Sequence, residues 1–197
     1  MIIKDKNKLK QKCEPCSSVE EGEEIGAKLL KELTEAKNGI GLAANQIGIN
    51  KRVCVINIKE PIVLINPEIV EKSEDMFAFA EACLSFPNMG VKTMRYKWVK
   101  VKADNHGGTL MFDYESPSHK PDDVNNAMET ACVQHEIDHL DGITMFDREY
   151  KSVPWVRKNP KIGRNEKVLI SKGTESKTIK FKKYDKMQED GWTLVEV

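Results

Sequence analysis

The chain has 197 residues, with 31 Lys and Arg against 31 Asp and Glu, a formal net charge of zero and 40% apolar content. That length fits one domain, or one with a small appendage, and can bury a core; no apolar run approaches the ~18 residues of a membrane-spanning helix. The start, MIIKDKNKLK, lacks the apolar stretch of an export signal, so the five cysteines are expected as thiols in a reducing, cytoplasmic setting.

In chain order, Cys13-Glu14-Pro15-Cys16 is a lone CxxC. Without a second pair to complete a zinc ribbon, it is expected to be structural. Ser18 with Glu21 fits a capping box, and Ile25, Leu29, Leu33 and Ala36 recur at helical spacing, predicting a helix over 19–37 that stops at Asn38-Gly39. Small residues fill 39–44. Strands are predicted at 52–58, with Cys54 a packed core thiol, and at 62–65, 97–103 and 109–114, with a turn at 106–108. His106 and His119 are expected to face solvent. A second helix is predicted over 122–141, with Val124, Ala127, Met128, Ala131, Cys132, His135 and His139 on its inward side. Residues 151–166 read as a linker, and 167–170, 178–183 and 192–197 as three strands of a meander. The expected organisation is therefore α+β: a catalytic domain over 1–150, a basic linker over 151–166, and a β-rich extension over 167–197 packed on the same domain.

Charge is uneven along this chain. Arg148–Lys183 holds 12 basic and 3 acidic residues, a local balance of +9. A solvated lysine face is the plain reading, and contact with an anionic surface the sharper one.

The strongest chemical signal is His135-Glu136-Ile137-Asp138-His139. Residues four apart share a helix face, so both imidazoles can reach one cation, with the Glu136 carboxylate beside them to move a proton. A catalytic site needs a third ligand. The pattern HExxHxxG continues to Gly142, but Met145 stands where a metzincin carries its third histidine, and Glu149 lacks a second helix to present it. Cys132, one turn before His135, would have to come from the same straight helix. A donor from another element is better geometry, which favours Cys83.

Cys83 lies in Glu81-Ala82-Cys83-Leu84-Ser85, and Gly39–Gln46 reads GIGLAANQ. With Gln134–Gly142, these segments resemble the three ordered signatures of the peptide deformylase family, GxGLAAxQ, EGCLS and QHExDHLxG, with Ala82 replacing a glycine. The resemblance implies antiparallel sheets around a central metal-bearing helix. It also implies removal of the formyl group from the formyl-methionine of nascent polypeptides by a metal-bound hydroxide. It assigns Cys83, His135 and His139 to one divalent metal, Fe²⁺ in the cell, with Zn²⁺, Ni²⁺ or Co²⁺ acceptable in purified protein. It gives Glu136 the proton, Gln46 and the Leu84 N–H the oxyanion, and Ile40, Gly41, Phe79, Ala82, Met128 and Cys132 the substrate. Glu81 and Arg95 match a pair that fixes the metal loop; an ordinary surface ion pair is the alternative. Ala82 would be strained if its backbone needed a positive φ, and otherwise would narrow the cleft. An HExxH metalloprotease and a catalytically inactive binding protein of this fold are the rival readings. The expected partners are formyl-methionyl peptides, with no membrane contact and a monomeric chain. For 148–183 a solvated face is expected ahead of docking on the ribosome surface, a role the resemblance does not carry over to this tail.

Overall fold

The computed structural model describes residues 1–36, 39–114, 124–150, 162–173 and 175–195. They belong to two units, Met1–Tyr150 and Lys151–Val197.

In the first unit a single turn, α1 (Lys6–Leu9), precedes the long helix α2 (Val19–Glu35). Ser18 caps α2 as predicted, its hydroxyl accepting from Glu21 N–H at 3.2 Å. The Glu21 carboxylate, however, accepts from the N–H and hydroxyl of Ser17, so the box closes one residue early. The helix ends at Glu35, and the predicted stop at Asn38 lies outside the described residues. Its apolar side, Ile25, Leu29 and Leu33, is buried together with Leu42, Val53, Val55 and Ile65. Gly22 and Gly26 permit that approach, since a Cβ on either would lie 2.5 Å from Ile65 or Val63.

Three antiparallel sheets follow. One comprises β1 (Gly41–Ala43), β2 (Val53–Asn57) and β3 (Pro61–Ile65); another has β7 (Trp98–Lys102) between β4 (Glu68–Lys72) and β8 (Thr109–Asp113). The third is a long hairpin, β5 (Met76–Cys83) with β6 (Phe86–Tyr96). The predicted strands at 52–58, 62–65, 97–103 and 109–114 are present within a residue or two. β4, β5 and β6 were not expected. β4 is largely exposed and charged, β5 is diluted by alanines, and β6 carries Pro87, Asn88 and Gly90, all poor strand formers. His106 is half-buried rather than solvent-facing, with Nε2 3.1 Å from the Val63 carbonyl; His119 lies outside the described residues.

The metal-motif helix α3 (Val124–Leu140) crosses the middle of this unit. The predicted start at 121–123 lies outside the described residues. One inward stripe was expected, yet both sides are buried: Asn126, Thr130, Val133 and Ile137 as well as Ala131, Cys132, His135 and His139. Val124, assigned to the stripe, is 62% exposed. The core around α3 takes in Cys54, Ile56, Leu64, Val99, Val101 and Phe112, drawn from two sheets. Gly142 ends the helix at φ +73, where a Cβ would also lie 2.5 Å from the Lys10 carbonyl oxygen. Cys13 and Cys16 are buried thiols in two different clusters, in keeping with a structural role.

In the second unit β9 (Lys167–Lys172) lies between β10 (Glu175–Lys180) and β11 (Thr193–Leu194), both antiparallel to it. Three strands were expected, but their order is not that of a meander. The strand foreseen over 178–183 stops at Lys180, because Phe181 buries its ring with Val168, Ile170 and Trp192. A short helix, α4 (Tyr184–Glu189), follows instead. Positions 151–161 of the predicted linker lie outside the described residues, as do 196 and 197. Among the described residues no helix is long and apolar enough to cross a membrane.

Candidate metal centre

His135 and His139, one turn apart on α3, are both buried, with ring centroids 4.8 Å apart at 76°. The third donor comes from the hairpin. β5 ends at Cys83, where the pairing register with β6 shifts, and its Sγ lies 3.3 Å from His139 Nε2. One ligand atom from each of Cys83, His135 and His139 lies within 4.8 Å of the others, the only such group among the described residues. A tetrahedral site with bonds of about 2.0–2.3 Å holds its donors roughly 3.3–3.8 Å apart, so the trio needs little adjustment to close on one cation.

The supporting residues fix this geometry. His135 Nδ1 lies 2.9 Å from Glu81 Oε2, leaving Nε2 for the cluster, as metal-bound histidines are usually held. Glu81 also accepts from Thr93 Oγ1 at 2.6 Å and from Arg95 Nε and Nη2 at 2.5 and 2.9 Å. The pair considered as an ordinary surface contact is therefore buried, with Arg95 and Glu81 side chains 3% and 4% exposed. Burial pushes the Glu81 carboxyl up, but the hydrogen bonds from Arg95 and His135 outweigh it and hold it down at about 2. Burial likewise disfavours charge on His135, yet without a cation Cys83 and Glu81 raise it to about 10, so a metal binding there must displace that proton. Burial drives His139 well below its ordinary value, leaving it neutral and ready to ligate.

Beside the donors, Gln46 Nε2 is 3.4 Å from Cys83 Sγ and 3.1 Å from Ser85 Oγ, while its Oε1 accepts from Ala43 N–H. Burial raises the Glu136 carboxyl to about 7, and its Oε2 has no hydrogen-bond partner. A cavity of about 560 Å³ opens over these groups, lined by every residue expected to meet substrate: Ile40, Gly41, Phe79, Ala82, Met128 and Cys132, with Leu84. Gly41 is there because a Cβ would lie 2.5 Å from both Cys132 Sγ and Glu136 Oε1. Ala82 is unstrained, since among the described residues only Asn66 and Asn88 have positive φ without being glycine. Ala82 lines the cavity without that strain.

Residues 1–155 match the model of the polypeptide deformylase family. The chain belongs to that family. The peptide deformylase of Prochlorococcus marinus (strain AS9601) is 34% identical over 171 residues, covering 83% of this chain and 79% of that protein. The peptide deformylase of Natranaerobius thermophilus is 39% identical over 144 residues, covering 71% and 85%. Among solved structures, the peptide deformylase of Thermotoga maritima superposes with TM-score 0.64 at 30% identity, covering 77% of this chain and 97% of that one. The actinonin complex of the Synechococcus elongatus enzyme gives TM-score 0.63 at 30% identity, covering 77% and 79%.

The chain is thus a metal-dependent deformylase acting on formylated peptides, and the site geometry disfavours the protease alternative. Met145 is buried with Cys83 and Phe86 and offers no imidazole, and Glu149 is exposed and bridged to Thr93. Cys132 lies in the cavity wall, its Sγ 3.6 Å from the Ile40 carbonyl. Sequence reasoning missed Ser85, Thr93, Asp138 and Arg148. Asp138 and Ser85 had a local signal, their places inside the HEIDH motif and the Glu81–Ser85 segment; Thr93 and Arg148 had none.

Proposed function

We propose that the deformylase acts on the formyl-methionine end of nascent polypeptides, with Cys83, His135 and His139 holding one divalent cation, Fe²⁺ in the cell. A thiolate with two imidazoles suits ferrous iron or zinc. When bound, the cation makes water a nucleophile at neutral pH and polarises the formyl oxygen. Gln46 Nε2 and the Leu84 N–H donate to that oxygen as it gains charge. Glu136 takes the proton of the attacking water and delivers it to the leaving amine. Ile40, Phe79, Met128 and Cys132 receive the methionine side chain, and the bare Gly41 backbone lets the peptide approach closely.

The observation that carries this reading is the grouping of the three donors within 4.8 Å of one another, with Cys83, His135, Gln46 and Glu136 lining one cavity of about 560 Å³. Anaerobically prepared protein should contain about one cation per chain and release formate from formyl-Met-Ala-Ser. Bound metal without formate would favour a binding protein, and cleavage of internal peptide bonds a protease. Metal analysis of the same sample distinguishes iron from zinc. An iron enzyme should also lose activity in air, as iron or thiolate oxidises.

A further inference from the structure

The carboxylate beneath His135 is the end of a longer chain of charges. Arg95, which grips Glu81 with Nε and Nη2, gives its remaining nitrogen Nη1 to Asp138 Oδ2 at 2.5 Å. Asp138, three residues beyond His135 on α3, also accepts from Arg148, with Nη2 2.7 Å from Oδ1 and Nε 3.1 Å from Oδ2. The links run Arg148, Asp138, Arg95, Glu81, His135, alternating in sign until they reach the imidazole.

Exposure divides this chain. The Glu81, Arg95 and Asp138 side chains are 4%, 3% and 10% exposed, whereas Arg148 is 45% exposed. Exposed ion pairs usually contribute little. This one differs, because both Asp138 oxygens are engaged by one guanidinium fork and Asp138 itself is buried. The segment bearing Arg148 is also tied to the strand bearing Arg95: Tyr150 N–H donates to the Lys92 carbonyl at 2.6 Å, and Glu149 bridges to Thr93.

We propose that Arg148 is a positioning residue for His135, keeping Arg95 seated on Glu81 by sharing the charge of Asp138. Without Arg148, both Asp138 oxygens turn to Arg95 alone. A guanidinium has a fixed fork, so a stronger claim by Asp138 draws it off Glu81. The slack passes to the Glu81 contact that orients the imidazole. This inference rests on the reading that Cys83, His135 and His139 hold the cation, and it concerns how long they hold it.

The test uses the full chain loaded with one Co²⁺, whose thiolate charge-transfer absorption reports the bound ion while a chelator strips it. Arg148→Met should release cobalt about 3–10-fold faster than the parent, below the 10–100-fold typical of a group touching the ligand itself. Arg148→Lys keeps the charge but loses the fork, and should fall between the two. Lys10→Met cuts the 3.2 Å pair to Asp147 on the same turn without touching Asp138, and should release cobalt at the parent's rate. Parent-like release from Arg148→Met, or equal acceleration by Lys10→Met, overturns the proposal. A parent that takes up no cobalt overturns the metal reading itself, and this inference with it.

Discussion

Gln46 places its side-chain nitrogen 3.4 Å from the Cys83 sulfur, although the two residues come from a 3₁₀ turn and a hairpin end that are 37 positions apart. The same amide is anchored through its oxygen, which accepts from Ala43 N–H at 2.8 Å. The donor is therefore aimed before any substrate arrives, as transition-state stabilisation requires. Gln46→Glu keeps the anchoring oxygen and removes the donor. In the proposed reaction it should lower kcat by about 10²–10³ with little change in metal content. Formate release and metal analysis on the same sample check both halves.

Glu136 is the buried group whose proton affinity suits the proposed transfer, because burial raises its carboxyl from 4.5 to about 7. A cation nearby pulls it back down, favouring the charged form. The acid limb of kcat/KM should therefore lie between those two values, with activity falling as pH falls and the base is protonated. Glu136→Gln should retain one metal per chain and lose about 10²–10⁴ in rate. Loss of the metal would show that the carboxylate holds the ion instead of moving a proton.

The parts of this site legible in the sequence are those whose geometry is local. His135 and His139 are brought together by helical spacing alone, and the Ser18 cap by a three-residue offset. Gln46 was legible only through motif resemblance; Cys83 was favoured as a donor from another element, but the hairpin that delivers it is poor in strand formers and was not foreseen. α3 misled differently: buried on both sides, it has no stripe for periodicity to find. Arg148 and Asp138 look like surface charges ten residues apart, and only tertiary folding puts one on the other.

Gly41→Ala should separate activity from stability. The added Cβ would lie 2.5 Å from Glu136 Oε1 and from Cys132 Sγ, closer than real contacts allow, so the carboxylate must move. Displacing a reacting group by about 1 Å can cost 10²-fold in rate, while overpacking of this size costs about 1–3 kcal/mol. The variant should fold, bind metal and release formate at least about ten times more slowly. Gly108→Ala, where a Cβ meets nothing within 4 Å, should match the parent in both assays.

Acid should weaken the fold through two carboxylates remote from the metal. Glu21 is held down at about 2 by the Ser17 N–H and hydroxyl and by Lys51. Asp147 is also near 2: burial pushes it up, but Thr144 and Lys10 outweigh that. Both folded values lie below the ordinary carboxylate range of about 3.9–4.3, so each group stabilises the fold above that range. That contribution is lost as pH falls from there through about 2, because the unfolded chain takes up the proton more readily. Glu21→Gln and Asp147→Asn should each lower the Tm near pH 6, and the gap to the parent should shrink steadily as pH falls to about 2.5. Melting curves across that range, in one metal state, carry the test. A gap that stays constant, or widens in acid, would mean that neither carboxylate is held as the Ser17 and Thr144 contacts indicate.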